Sequence, residues 1–154
     1  MTTLQTELTS GPLAAELAPF VASGNEAAIS EIMNRQDITV KGKLLTHDIR
    51  QYLMLVDLLL PIEAGLDPAC KTASRALDIF PQFDLSNSMI LAKFSAILDG
   101  LVADALTPAF TATTKATLLA MADRQISRAE QLGITISDLD IRKAIWNDNG
   151  TRAI

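Results

Sequence analysis

Between Ile126 and Ala144 the chain reads as a helix, a tight stop, a short turn and a second helix. Gly133 is placed to take the left-handed conformation that ends a helix, and Ser137 to accept the free N–H groups that begin one. Asp140, three residues beyond Ser137, completes a capping-box spacing with a shorter acid than the usual Glu. This punctuation, repeated elsewhere in the chain, confines the fold to short helices.

Upstream, Pro12 after Gly11 can open a helix carrying Leu13, Leu17 and Phe20, a stripe interrupted at Pro19 and closed by Gly24. Asn25 can cap the next helix, which runs to about Asn34 with Ile29, Ile32 and Met33 inward. From Gln36 to Leu45 the apolar residues Ile38, Val40 and Leu44 alternate around Gly42, as in a small β-hairpin or extended loop near residues 38–45. Thr46 then caps a helix with Ile49, Tyr52, Leu53, Val56, Leu59 and Leu60 on one face. Met54, Leu55 and Leu58 make that helix apolar almost all round, which predicts a place at the centre of a bundle.

Asp67-Pro68 is a cap followed by a first-turn proline, and Cys70, Ala73, Leu77 and Phe80 recur on one face until Pro81. Ser86 can begin a helix with Ile90, Phe94, Ile97 and Leu98 buried and Asp99-Gly100 as its stop. A short helix around Leu101–Leu106 follows. The next spans about Thr114 to Leu132, with Leu119, Ala122, Ile126 and Ala129 inside. The run Asn147-Asp-Asn-Gly150 breaks the last helix. The pattern thus predicts an all-α fold, a compact bundle of six or seven short helices forming a single domain over residues 1–150, with 151–154 as a flexible tail.

The 154 residues suit one core, and with 49% apolar but only 5% aromatic residues that core is built of Leu, Ile, Ala and Met. The net charge of -5, with no basic run, disfavours nucleic acid as a partner. A single cysteine allows no intrachain disulfide. The start of the chain lacks the basic and apolar regions of a signal peptide. The apolar run Tyr52–Ile62 is too short for a bilayer and contains Asp57 and Pro61, so no membrane role is expected and the protein is expected to be made in a cytoplasm.

Reactive groups are few. One His and one Cys, His47 and Cys70, do not make a zinc site, and no glycine-rich phosphate loop exists. His47 is read as a solvent-facing first-turn residue and Cys70 as a small core residue. Asp57, the one carboxylate in an otherwise apolar helix, is read as marking a narrow exposed strip or pairing with an Arg, over an acid–base role. No catalytic residue, metal or cofactor is expected, and the chain is read as a non-enzyme. The spacing Ala129-x-x-x-Gly133-Ile134-x-x-x-x-Leu139 matches a DNA-binding helix-turn-helix, but Asp138 and Asp140 would meet phosphate at its groove-entering end. Trp146, the only tryptophan, either pins the last helix to the core or anchors a protein interface together with Ile145 and Leu139.

The Ala-rich segment Leu13–Asn34, containing Phe20-Val-Ala-Ser-Gly-Asn-Glu-Ala-Ala-Ile, resembles small helical proteins encoded among the virion genes of tailed bacteriophages. So do Leu118-Leu-Ala-Met-Ala-Asp-Arg-Gln-Ile-Ser-Arg-Ala-Glu-Gln-Leu-Gly133 and Ser137-Asp-Leu-Asp-Ile. The resemblance covers the first and last quarters and brings no catalytic residues. It implies a non-enzymatic virion or assembly protein, made in the host cytoplasm, that contacts copies of itself or other virion proteins. The alternative is a small regulator, either a helix-turn-helix DNA binder or an inhibitor of a host protein.

Overall fold

A computed structural model describes all 154 residues of the chain. Its elements are α1 (Thr3–Ser10), α2 (Ala14–Ser23), α3 (Glu26–Asn34), β1 (Ile38–Lys41), β2 (Lys43–Leu45), α4 (Thr46–Leu55) and α5 (Leu59–Ala64). They continue with α6 (Pro68–Ile79), β3 (Gln82–Asp84), α7 (Ser88–Ala103), α8 (Ala112–Ala120), β4 (Asp123–Ile126), α9 (Arg128–Gln131) and α10 (Asp138–Ile145). The fold is mostly helical, but its ten helices and four short strands correct the expectation of an all-α bundle of six or seven helices with a small hairpin near residues 38–45. No helix is long and apolar enough to cross a membrane.

The contacts divide the chain into two compact units. The first unit joins residues 1–38 to 125–154, and the second is residues 39–124.

In the first unit, the core gathers Leu8, Leu17, Ile29, Met33, Ile136, Ile141, Ala144 and Ile145. Helix α1, which no expectation covered, forms on a capping box in which Thr2 and Gln5 exchange backbone and side-chain bonds. Pro12 does not open α2, whose first residue is Ala14, and Pro19 lies inside that helix instead of interrupting it. Gly24 closes α2 in the left-handed region at φ 69°, and Asn25 caps α3 by accepting from the Ala28 N–H, both as read from the sequence. Gly133, also at φ 69°, ends α9 while the Ile134 N–H returns to the Ala129 carbonyl at 3.0 Å. Ser137 caps α10, and the Asp140 carboxylate accepts from the Ser137 N–H at 2.9 Å.

In the second unit, the core runs from Leu44, Ile49 and Leu53 through Ile62, Cys70 and Leu77 to Phe83, Phe94, Leu98, Leu101, Phe110 and Leu118. The residues of the expected hairpin are extended, but β1 and β2 do not pair with each other. β2 pairs antiparallel with β3, setting Lys43 against Asp84, Leu44 against Phe83 and Leu45 against Gln82, while β1 pairs with β4. The β2–β3 ladder explains why Thr46 is not a cap. Its hydroxyl donates to the Phe80 carbonyl and its N–H to the Pro81 carbonyl at 3.0 Å, leaving Leu45 as an N-cap without a side-chain bond.

Three further helix limits differ. Asn87, not Ser86, caps α7, while Ser86 is occupied with Asp84. Helix α7 runs through Asp99-Gly100 to Ala103, because Leu98 and Leu101 both reach the core and a buried contact outweighs the glycine's stop signal. The long helix expected over 114–132 is instead α8, β4 and the single turn α9. Its continuity is lost where the Ala122 carbonyl accepts from the Gly42 N–H at 2.7 Å and the Leu119 carbonyl from Lys41 Nζ at 2.7 Å.

Candidate interaction surfaces

The helix expected to cross the middle of a bundle breaks at Asp57. This residue adopts φ 60°, its N–H donates to the Met54 carbonyl at 3.1 Å, and the Leu58 N–H reaches back to the Leu53 carbonyl at 2.8 Å. The two bonds make a Schellman closure with Asp57 in the position usually held by glycine, and the buried pair Leu53 and Leu58 supplies its apolar contact. Asp57 is exposed, as the sequence suggests, but its role is in the backbone.

This break sorts the apolar residues of the segment. Leu53, Leu58, Leu59 and Ile62 turn inward, whereas Met54 is 62%, Leu55 82% and Leu60 72% exposed. Leu66, just beyond α5, is 82% exposed as well. Met54, Asp57, Leu59, Leu60 and Pro61 line one hollow of about 320 Å³. Single exposed leucines are ordinary, but Leu60 and Met54 exposed on one concavity mark a contact surface. Sequence periodicity could not find this corner, since it assigns Met54, Leu55, Leu59 and Leu60 to one buried helix.

The three residues read from the sequence as an interface differ in exposure. Ile145 is 0% exposed, held within the core of the first unit, so it cannot be a surface anchor. Leu139 is 55% exposed on the first turn of α10. Trp146 is half-buried and ends α10, its N–H donating to the Arg142 carbonyl at 2.9 Å. Arg152 lies over its ring, 4.7 Å from the centroid.

Cys70 is fully buried in the first turn of α6, on the face shared with Ala73 and Leu77; Phe80, expected on that face, lies past the helix end and is exposed. Asp67 caps the helix by accepting from the Cys70 N–H at 3.2 Å, and the thiol lies 3.5 Å from Asp104 Oδ2. Burial first, and then the Asp67 and Asp104 carboxylates, push the thiol pKa up to about 12. A thiol held protonated is a poor nucleophile, and in this trio Asp67 caps α6 while Cys70 packs in the core. His47 is exposed in the first turn of α4, as expected, and borders a hollow with Arg50 and Asp78. Arg50 is engaged there by Asp78 at 2.6 Å.

The helix-turn-helix spacing folds into a one-turn α9 followed by α10, with Asp138 and Asp140 exposed at the leading end. Arg142, one of the two basic residues of α10, is engaged by Glu26 through bonds of 2.9 and 2.8 Å. No protein-family model matches the chain, and no curated protein or solved structure matches it.

Proposed function

We propose that this protein is a non-enzymatic bacteriophage virion or assembly protein that works by contact with copies of itself or with other virion proteins. The single observation that carries the contact reading is the α4–α5 corner, where the exposed Met54 and Leu60 line a concave apolar hollow and Leu55 of the same corner stands in solvent. Exposed apolar surface of this kind is costly in water and gains when a partner covers it. The phage setting rests on the sequence resemblance of the first and last quarters. Against the DNA-binding alternative stand the acidic leading end of α10 and the net charge of -5.

The test joins particle composition to a surface substitution. Mass spectrometry of purified particles of the encoding phage should find the chain, and Leu60→Lys should lower its incorporation at least tenfold while circular dichroism stays unchanged. Because Leu60 is mostly exposed, the substitution removes a contact without opening the core. Absence from particles, or undiminished incorporation of Leu60→Lys, overturns the reading. A salt-dependent shift of duplex DNA by the purified chain would favour the regulator instead.

A further inference from the structure

Residues 146–154 turn back on themselves at the end of α10. Trp146 and Arg152 form an antiparallel bridge, the Asn147 N–H donates to the Thr151 carbonyl at 2.8 Å, and the Ala153 N–H donates to the Ile145 carbonyl at 2.7 Å. Asn147 Nδ2 donates to Thr151 Oγ1 at 3.0 Å and to the Arg152 carbonyl at 3.2 Å.

This turn delivers Arg152 to one place. Its guanidinium lies 4.7 Å from the centroid of the Trp146 ring, donates to the Val21 carbonyl at 2.6 Å and also donates to the Ala22 carbonyl. Those carbonyls belong to the last turn of α2, which contains no basic residue of its own. One cation therefore meets both the negative end of a helix and the face of an indole. Gly24 eases the approach, since a Cβ there would sit tightly, 3.3 Å from Trp146 Cζ2.

We propose that residues 147–154 are a clasp that opens locally, without unfolding α10, and that Arg152 is its catch. Residues 147–152 are all exposed, and their hydrogen bonds face solvent. Ile141, Ala144 and Ile145 beneath them are buried. Segments with few buried apolar contacts and solvent-facing backbone bonds open well below the global unfolding free energy. Opening frees the α2 carbonyls, uncovers the indole and widens the hollow of about 440 Å³ that Trp146, Asn147, Asp148 and Gly150 wall together with Glu26, Arg142 and Lys143. Trp146 is thereby a conditional surface, covered when the clasp is closed. This holds whether or not the α4–α5 corner is a contact surface.

Trp146 is the only tryptophan, so acrylamide quenching of intrinsic fluorescence reports on it alone. In the full chain, the Ala153 amide should exchange with deuterium much faster than the Ile141 amide. Arg152→Ala should speed Ala153 exchange on the order of tenfold further and raise the quenching constant, with helix content unchanged. Arg152→Lys, which keeps the charge but not the planar fork, should fall between the two. Exchange of Ala153 at the Ile141 rate in the parent protein, unchanged quenching in Arg152→Ala, or loss of helix in that variant each overturns the clasp.

Discussion

At the scale of single residues, Cys70 couples packing to proton affinity. Its thiol pKa stands at about 12 in the folded chain against an ordinary value of 9.0, burial being the largest cause. The folded state thus keeps a proton that the unfolded state loses. The stability gained is complete below about pH 9 and drains away as pH rises from there towards 12. The denaturation midpoint should fall across that window, and Cys70→Ala should flatten the fall even if it lowers the midpoint overall. At pH 8 a thiol reagent should label Cys70 in denaturant and not in the folded protein; rapid labelling of the native chain would contradict the burial argument. This residue was legible in advance because its helical face carries Ala73 and Leu77 as well. Ile145, expected at an interface, lies in the core for a reason its sequence neighbourhood does not show. Neighbours at the end of a helix point in different directions, and adjacency to Trp146 says nothing of exposure.

At the scale of elements, Asp57 decides the shape of the α4–α5 corner. A non-glycine residue in the left-handed region is strained, by about 1–2 kcal/mol for most side chains and less for Asp, which bonds locally. Asp57→Gly should therefore raise stability by a few tenths of a kcal/mol to about 1 kcal/mol, measured by urea denaturation, while leaving the corner intact. Asp57→Val should lower it by a similar or larger amount. If the two variants are equally stable, the closure at Asp57 does not set the corner. The helices whose starts match the sequence pattern, α3, α6 and α10, are those whose N-caps are local, since Asn25, Asp67 and Ser137 each bond within three residues. Ends set by distant partners were invisible. Thr46 is drawn away from capping by Phe80, and Ala122 is taken by Gly42, 80 residues distant in sequence. Likewise β2 and β3 are too short for periodicity to announce their pairing, which spans an entire helical segment.

At the scale of the whole molecule, the chain leaves the first unit near Ile38 and returns to it near Gln125, so that unit closes on contacts between its opening and closing segments. Among these, Glu7 and Arg128 are 121 positions apart, yet Arg128 donates two hydrogen bonds of 2.6 and 2.8 Å to the Glu7 carboxylate. Glu7 is only 5% exposed, and the pairing raises the Arg128 pKa, with the Glu7 hydrogen bond as its largest cause. No sequence pattern signals such a pair, because neither residue differs in kind from the solvated charges around it. Breaking a buried pair strands its other charge, and that costs about 3–5 kcal/mol, whereas replacing both partners by apolar groups is often neutral. Arg128→Met should therefore destabilise the first unit strongly, and Glu7→Leu combined with Arg128→Met should recover most of the loss. Hydrogen exchange should register the single variant first at Ile29 and Ile141, in the core that the pair adjoins, rather than at Leu118 in the other core. A double variant no more stable than Arg128→Met would show that the pair contributes through geometry that apolar side chains cannot restore, and the account of it as a compensated buried charge would be wrong.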